Sequence, residues 1–265
     1  TYSVSNSFPN RALNRAWTDL QIIVCRHMRD KFASEPMFHG VPLVSVHNGV
    51  DAEAFHGDDS LRAEAREEFG YADSDIVIGT AARLNPIKGH DLLLRAVGIL
   101  KDDQPNLRLL FLGTGDREQT LRALARDLGI EHAVTFAGNR EDMQRCIQAF
   151  DIGAQPSLEE TSSFSLKEQM AAEKPVVTSD YPACREIVEN GVEGFTVAVG
   201  TVEPLAEALR RLAADADLRR RFGHAGRERV LREFSVEQFA GRTAEAYRHA
   251  LELTAERRSS QKGTR

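Results

Sequence analysis

The sequence predicts an α/β protein built on a doubly wound parallel sheet, with additional helices towards its C-terminal end. The first observation is a series of short apolar runs rich in Val, Ile and Leu, such as 76–81 and 107–112. The second is that a segment with helical periodicity separates one run from the next, which is typical of parallel strands covered on both faces. The third is that the strand pattern stops at about residue 200, after which the chain is helical. Together they predict a Rossmann-like domain.

The individual elements follow from the spacing of apolar residues. The segment 90–100 is the clearest helix, with Leu92, Leu93, Ala96, Val97 and Leu100 on one face. Residues 1–16 show no period and are predicted to be a loop or a frayed start. Strands are predicted at 19–25, 41–46, 76–81, 107–112, 133–137, 151–154, 175–179 and 195–197; helices are predicted at 26–32, 60–69, 90–100, 117–128, 141–150, 183–189, 203–213, 217–232 and 236–254, and one more begins within 161–171.

Composition and charge argue against several classes of protein. The 265-residue chain is 42% hydrophobic, which suffices for a core, and its 40 acidic and 34 basic residues give a net charge of −6. This balance gives no electrostatic reason to expect nucleic acid as a partner. No apolar run approaches the roughly 18 residues that a membrane-spanning helix needs, and no signal peptide opens the sequence, so we expect a cytoplasmic protein.

Cysteines, histidines and common motifs give no sign of a metal site or of a hydrolase. Cys25, Cys146 and Cys184 lie far apart without a CxxC pair, which favours a reducing compartment over a disulfide framework. The 8 histidines form no HxxxH pair, so no metal ligands are predicted. Neither a GxSxG nucleophile motif nor a GxxxxGKS/T phosphate loop occurs in the sequence.

The stretch 156–171 combines a strand end, a cluster of hydroxyl groups and a helix start. Glu160 and Glu168 flank the hydroxyl groups and can accept hydrogen bonds from a sugar. Hydroxyl side chains at a helix start cap free N–H groups, and such an end can bind an anion. The structural alternative is one glutamate beside a helix cap and one on the surface. The hydroxyl residues are Thr161, Ser162, Ser163 and Ser165.

The loop 82–89 carries two cations at the end of the strand 76–81. Arg83 can bind two phosphate oxygens with its planar guanidinium, and Lys88 can act as a point charge. The alternative is two exposed cations in a polar loop. Ligands usually bind at this edge of an open α/β sheet, which favours a diphosphate site. Phosphate-binding cations beside sugar-binding carboxylates suit a nucleotide sugar.

Two glycine-containing turns follow the next two strands. Gly113-Thr114-Gly115 precedes a helix, but the third glycine of a dinucleotide-binding motif is missing because position 118 is Glu. A tight turn that needs glycine explains this turn at least as well as a ligand site does. Gly138-Asn139-Arg140 is open to the same two interpretations.

In this order and spacing, these segments resemble the retaining glycosyltransferases of family 4, also called group 1 glycosyltransferases, which have the two-domain GT-B fold. The resemblance extends over most of the chain and indicates that it is one half of that fold, the C-terminal donor-binding domain. The matching segments are 47–51, 82–89, 112–115, 156–168, 175–180 and 186–195.

The resemblance implies roles for individual residues. Arg83 and Lys88 would hold the donor diphosphate, Glu160 would contact the donor sugar, and Glu168 would contact the ribose. The nucleobase would lie near the loop that begins at Gly138. We therefore expect Arg83, Lys88 and Glu160 to be catalytic. The expected donor-binding residues are Gly113, Gly138, Asn139, Arg140, Thr161, Ser162, Ser163, Phe164 and Glu168.

One departure from the family bears on the sugar. The family commonly has Glu-Gly-Phe-Gly at the start of its motif, where this chain has Glu160-Thr161-Ser162-Ser163. The side chains near the sugar therefore differ.

The resemblance also implies a domain organisation. Residues 1–46 would be a remnant of the acceptor domain with its linker, 47–234 the nucleotide-sugar-binding domain, 235–255 a crossover helix and 256–265 a disordered tail. The acceptor domain, with its glycine-rich loop and catalytic histidine, would precede residue 1. We therefore expect the chain to bind a nucleotide diphosphate by itself and to transfer sugar poorly or not at all.

The implied activity is metal-independent transfer, with retention, from a nucleotide sugar to a glycan or lipid-linked acceptor. UDP is the expected nucleotide, ahead of GDP, no cofactor is expected, and polysaccharide, lipopolysaccharide or glycolipid would be the product. One alternative is a stand-alone nucleotide-sugar-binding module without transfer activity. Another is an epimerase of the same fold, although the spacing of Glu160 and Glu168 fits transferases better.

The arginines of 217–232 would form a solvated face or contact anionic lipid at the inner face of the membrane.

Overall fold

The computed structural model describes residue 14 and residues 17–262, so the predicted loop at 1–16 lies almost entirely outside the described residues. The chain divides into two compact units. One comprises Thr1–Gly49 with Val236–Arg265, and the other comprises Val50–Ser235. The second unit contains every residue predicted for the donor site.

The second unit is built on a parallel sheet of six strands in the order β5-β4-β3-β6-β7-β8. Helices alternate with the strands along the chain, and the predicted fold class is confirmed. The strands are β3 (Ile76–Ala81), β4 (Leu107–Leu112), β5 (Val134–Phe136), β6 (Ile152–Gln155), β7 (Val176–Ser179) and β8 (Gly194–Val197). The helices are α2 (Asp59–Phe69), α3 (His90–Leu100), α4 (Glu118–Asp127), α5 (Met143–Gln148), α6 (Phe164–Ala171), α7 (Pro182–Arg185), α8 (Glu203–Ala214) and α9 (Ala216–Arg229).

Apolar side chains form two clusters in this unit, because successive strand residues point to opposite faces of the sheet. Ile78 of β3 belongs to the cluster that includes α3 and α8, and its neighbour Val77 belongs to the cluster that includes α6. Gly79 makes room for the ring of Phe150, because a Cβ there would lie 2.1 Å from a ring carbon. The sheet is therefore covered on both sides, which leaves the ends of its strands to form a site.

Several helix bounds differ from the prediction. Helix α7 ends at Arg185 instead of continuing to 189, because the chain then turns Ile187 and Val188 into the core. Helix α9 ends at Arg229 and is followed by a π-helical turn, Val230–Phe234. The carbonyl of Phe234 accepts a hydrogen bond of 2.8 Å from the backbone N–H of Val50 instead of one from the next helical turn.

The arginines of α9 and the π-helical turn mostly bind groups of the same unit. Arg227 donates to the carbonyls of Ala52 and Ala171, and Arg229 forms an ion pair of 3.1 Å with Glu193. These two side chains are only 16% and 12% exposed, so the prediction of a solvated face is wrong for them. They hold α9 against neighbouring loops.

The first unit contains a parallel pair of strands, β1 (Gln21–Ile23) and β2 (Leu43–Ser45), with helix α1 (Arg26–Ala33) between them. A longer helix of this unit, α10 (Val236–Lys262), continues past 254, where its end was predicted, and covers most of the segment predicted to be disordered. Arg257 of α10 forms an ion pair of 3.0 Å with Asp19. No helix among the described residues has the length and apolar character needed to cross a membrane.

Candidate functional site

The loops that follow β3 and β4 are joined by backbone contacts. The N–H of Leu84 donates to the carbonyl of Thr114 over 3.0 Å. A Cβ at Gly113 or at Gly115 would lie 2.2 Å from the carbonyl oxygen of Ala82 or of Leu84, respectively. The two glycines are thus required for the close packing of one loop on the other. This packing supports the interpretation of Gly113-Thr114-Gly115 as a tight turn that needs glycine. The contact between the two loops also fixes the backbone beside Arg83.

The loop after β3 also packs on the loop after β6. Gly89 has φ of +70°, and a Cβ there would lie 2.3 Å from the carbonyl oxygen of Pro156. The N–H of Leu158 donates to the carbonyl of Ile87 over 2.7 Å. Asn85 caps a short 3-10 helix, Pro86–Lys88, through its side-chain oxygen. Three loops at the C-terminal edge of the sheet therefore form one surface.

That surface brings Lys88 and Glu160 together. The Nζ of Lys88 lies 2.7 Å from the Oε2 of Glu160, and the two residues are 72 positions apart in the sequence. The side chain of Glu160 is only 8% exposed, and that of Lys88 is 24% exposed. The other carboxylate oxygen of Glu160, Oε1, accepts a hydrogen bond of 2.9 Å from the N–H of Thr161. Two of the three residues predicted to be catalytic thus form a half-buried ion pair.

An open cavity of about 410 Å³ lies at the same edge of the sheet, and neither Lys88 nor Glu160 lines it. Its volume falls in the range of small-molecule sites. Its lining includes half of the residues predicted for the donor site and comes from the ends of β3 and β4, the loop after β5 and the start of α6. Of the predicted residues, Arg83, Gly113, Asn139, Arg140, Phe164 and Glu168 line it.

Arg83 and Glu168 are the two lining residues with charged groups open to a ligand. Within the part of the chain that the structure describes, neither side chain has a hydrogen-bond or ion-pair partner. Burial raises the pKa of the Glu168 carboxyl above its usual value, because the charged form loses water. A cation and a carboxylate therefore line the same cavity without forming an ion pair with each other.

Arg140 lines the cavity, but its guanidinium is already paired. It donates to the carboxylates of Asp142 and Glu68, at distances of 2.8 and 2.7 Å. These hydrogen bonds raise the pKa of Arg140 and keep it charged. The charge of Arg140 is therefore balanced by the carboxylates of Asp142 and Glu68. The guanidinium of Arg83, in contrast, remains open to a ligand.

The remaining predicted residues do not line the cavity. The carbonyl of Gly138 accepts a hydrogen bond of 2.7 Å from the N–H of Gly113, which joins two loops. Thr161 is exposed, and Ser162 accepts a hydrogen bond of 3.0 Å from Lys167. Ser163 is the N-cap of α6, since its hydroxyl accepts from the N–H of Leu166 over 3.1 Å. Ser162 and Ser163 therefore organise the turn before α6.

Three buried polar residues near the site were not predicted. Gln155, at the end of β6, donates to Glu160 over 2.9 Å. Lys167 is fully buried in α6, with its Nζ 5.2 Å from the ring centre of Phe234. His90, next to Gly89, is 1% exposed and packs against Phe111. The sequence feature that could have indicated such residues is a polar residue within an apolar pattern, such as the glutamine at the end of the strand IGAQ.

The described residues contain no group of three or more His, Cys, Asp or Glu side chains placed to hold a metal ion.

Comparisons with known proteins identify the family of this chain. The family model for glycosyl transferases group 1 matches residues 62–229. EpsD of Bacillus subtilis, which carries the name of a glycosyltransferase, is 30% identical over 92% of this chain and 64% of its own length. A GDP-mannose-dependent mannosyltransferase of Mycobacterium tuberculosis, which acts on phosphatidylinositol monomannoside, is 28% identical over 87% of this chain and 62% of its own length. The chain thus spans less than two thirds of these curated relatives.

Solved structures show the same fold. A glycosyltransferase from Rickettsia africae superposes with a TM-score of 0.83 at 19% identity, over 95% of this chain and 69% of that one. Anabaena HepE in complex with UDP and glucose superposes with a TM-score of 0.79 at 23% identity, over 89% of this chain and 64% of that one. The region that the family model matches, 62–229, contains the loop of Arg83 and Lys88 and the helix of Glu168. The chain belongs to the group 1 glycosyltransferases.

Proposed function

We propose that this chain binds the nucleotide-sugar donor of a retaining, metal-independent glycosyltransferase. The observation that carries the proposal is that Arg83 and Glu168 line one cavity, at the same edge of the sheet as the ion pair of Lys88 and Glu160. Cations suit a diphosphate, and carboxylates accept hydrogen bonds from sugar hydroxyl groups. A nucleotide sugar presents both kinds of group.

The diphosphate is proposed to lie between Arg83 and Lys88. The guanidinium of Arg83 is open to a ligand within the described chain, and its planar donors match phosphate oxygens. Lys88 carries three N–H donors, one of which Glu160 occupies, so two remain for phosphate. During transfer these cations would stabilise the negative charge that develops on the leaving diphosphate.

The ribose and the sugar are proposed to bind the two glutamates. Glu168 lines the cavity and has a carboxylate without a partner among the described residues, which suits the ribose hydroxyl groups. Glu160 lies beside Lys88 and suits the transferred sugar. The base would then rest near Asn139 and Arg140, which also line the cavity.

Titration calorimetry of the 265-residue chain tests this proposal. The ligands are UDP, UDP-glucose, GDP and GDP-mannose, because one relative is named as GDP-mannose-dependent and one neighbour binds UDP. We expect binding of at least one nucleotide, with UDP favoured, and no loss of affinity in EDTA. Absence of binding by all four, with a native circular dichroism spectrum, would overturn the proposal.

The reaction itself needs a second measurement. We propose transfer to a glycan or lipid-linked acceptor with retention at the anomeric carbon. Proton NMR of the first sugar that the full-length protein releases from UDP-glucose or GDP-mannose, without acceptor, should show the α-anomer. The β-anomer would contradict retention, and an epimerised nucleotide sugar would favour the epimerase alternative.

A further inference from the structure

We propose that Gln155 is a positioning residue that holds the Glu160 carboxylate in place and thereby sets how the site discriminates between sugars. The inference rests on the proposed function and deepens it. Gln155 is the last residue of β6 and is only 2% exposed. The hydroxyl of Thr178, its partner in the neighbouring strand, donates to the Gln155 carbonyl over 2.9 Å. The backbone that carries this side chain is therefore fixed by the sheet.

The side chain of Gln155 joins the ion pair to the start of α6. Its Nε2 donates to the Oε2 of Glu160 over 2.9 Å, and its Oε1 accepts from the hydroxyl of Ser163 over 2.8 Å. The same hydroxyl accepts from the N–H of Leu166 and so caps the helix. A continuous chain of hydrogen bonds thus runs from Lys88 through Glu160, Gln155 and Ser163 to α6.

Chemistry fixes the direction of the Gln155 amide. An ionised carboxylate only accepts hydrogen bonds, so the amide must present its N–H group to Glu160. The amide oxygen then faces Ser163, whose proton is free to point towards it because the oxygen of that hydroxyl accepts from Leu166. The reversed amide would place two oxygens against each other and leave a buried donor without a partner. The Gln155 amide therefore has one stable orientation.

This chain of hydrogen bonds also limits how many further hydrogen bonds Glu160 can accept. A carboxylate has about four acceptor positions, two on each oxygen. Lys88 and Gln155 occupy both positions on Oε2, and Thr161 occupies one on Oε1. The position that remains on Oε1 suits a single sugar hydroxyl. Glu160 would thus recognise one hydroxyl in one direction, and its selectivity depends on Gln155 preventing rotation of the carboxylate.

A purely structural role for Gln155 makes a different prediction. Loss of a buried hydrogen bond would then lower the free energy of unfolding and leave the relative affinities for nucleotide and nucleotide sugar unchanged. Gln148 provides the control, since it is 1% exposed and its amide donates to the carbonyl of His56, away from the cavity.

The test measures the ratio of the dissociation constants for UDP and UDP-glucose, and for GDP and GDP-mannose, with the chain and its Q155M, Q155E and Q148M variants. Q155M removes both hydrogen bonds at similar volume. We expect free nucleotide to bind Q155M within about threefold of the original affinity, and the discrimination ratio to change by about five- to tenfold. Q148M should keep the original ratio.

The Q155E variant provides a pH dependence of the ratio of dissociation constants that we would not expect if Gln155 had only a structural role. At pH 8 its carboxylate repels that of Glu160, and at pH 5.5 the two can share a proton and restore the hydrogen bond. The ratio should therefore recover on acidification in Q155E and stay altered in Q155M. A ratio equal to that of the original chain in both variants would overturn the inference. Failure of the original chain to bind any of the four ligands would instead overturn the proposed function.

Discussion

Lys88 and Glu160, which come from different loops, form an ion pair with 2.7 Å between the Nζ and Oε2 atoms. The cation proposed for the diphosphate and the carboxylate proposed for the sugar are therefore in contact with each other. The pair keeps a nearly buried carboxylate neutralised while leaving donors of Lys88 free to meet phosphate. In the proposed reaction, the bond that breaks joins the sugar to the diphosphate, which is the part of the donor these two residues would share.

Replacing Lys88 with methionine should weaken nucleotide binding. A hydrogen bond to a charged group contributes about 1.5–3 kcal/mol, so we expect the affinity for UDP or GDP to fall by about 10- to 150-fold. The variant should also unfold at lower urea concentration, because it leaves the Glu160 carboxylate, 8% exposed, without its cation. Calorimetry and urea denaturation measure the two effects.

Two controls separate these effects. Lys101→Met removes an exposed lysine whose Nζ donates to the carbonyl of Leu128 and should leave nucleotide affinity unchanged. The double variant K88M/E160Q removes the unpaired charge, so it should regain stability without regaining affinity. An original affinity in K88M would show that Lys88 does not bind the diphosphate.

Glu160 and Glu168 should affect different parts of the donor. Glu168→Ala removes the carboxylate in the cavity and should weaken free nucleotide and nucleotide sugar equally, by about tenfold. Glu160→Ala should leave free nucleotide within about threefold and change mainly the additional affinity that the sugar provides. Titration of each variant with UDP and UDP-glucose, or with the guanosine pair, measures this. Equal losses for both ligands in both variants would contradict the division of roles.

The sequence predicts the elements of the sheet closely where apolar periodicity is regular. Strand β3 and helix α3 have the predicted bounds, 76–81 and 90–100, because their buried faces are continuous. Helix α7 was predicted too long because Ile187 and Val188 continue an apolar pattern in a segment that is not helical. Local patterns identify burial, and the path of the chain decides its conformation.

The sequence names candidate residues for the site but does not give their geometry. The resemblance indicated Arg83, Lys88, Glu160 and Glu168, and the structure brings Arg83 and Glu168 into one cavity. The hydrogen bonds of Gln155 could not be predicted, because they depend on how the turn before α6 folds back on β6.

Gly89→Ala should disrupt the contact between the loops after β3 and β6. A side chain at φ of +70° costs about 1–2 kcal/mol, and the Cβ would also lie 2.3 Å from the carbonyl oxygen of Pro156. Displacing that backbone adds about 1–3 kcal/mol. Gly70→Ala is the matched control, since Gly70 has φ of +71° with nothing within 4 Å of an added Cβ. We expect G89A to lose more stability than G70A in urea, and to lose nucleotide affinity as well. Equal losses of stability would show that the loops adjust without cost.

His90 should make the protein less stable in weak acid. Burial lowers the pKa of this histidine from 6.5 to about 4, with a smaller contribution from Lys88. Between these values the unfolded chain binds a proton that the folded chain does not, so the free energy of unfolding falls as the pH is lowered from about 6.5 to 4. The loss attributable to His90 is on the order of 3 kcal/mol, since one pKa unit corresponds to about 1.4 kcal/mol. His90→Leu should remove this part of the pH dependence, whereas His132→Leu, at an exposed position, should retain it. Urea denaturation between pH 7 and pH 4.5 measures the difference, and parallel curves for H90L and the original chain would contradict a neutral buried imidazole at this position.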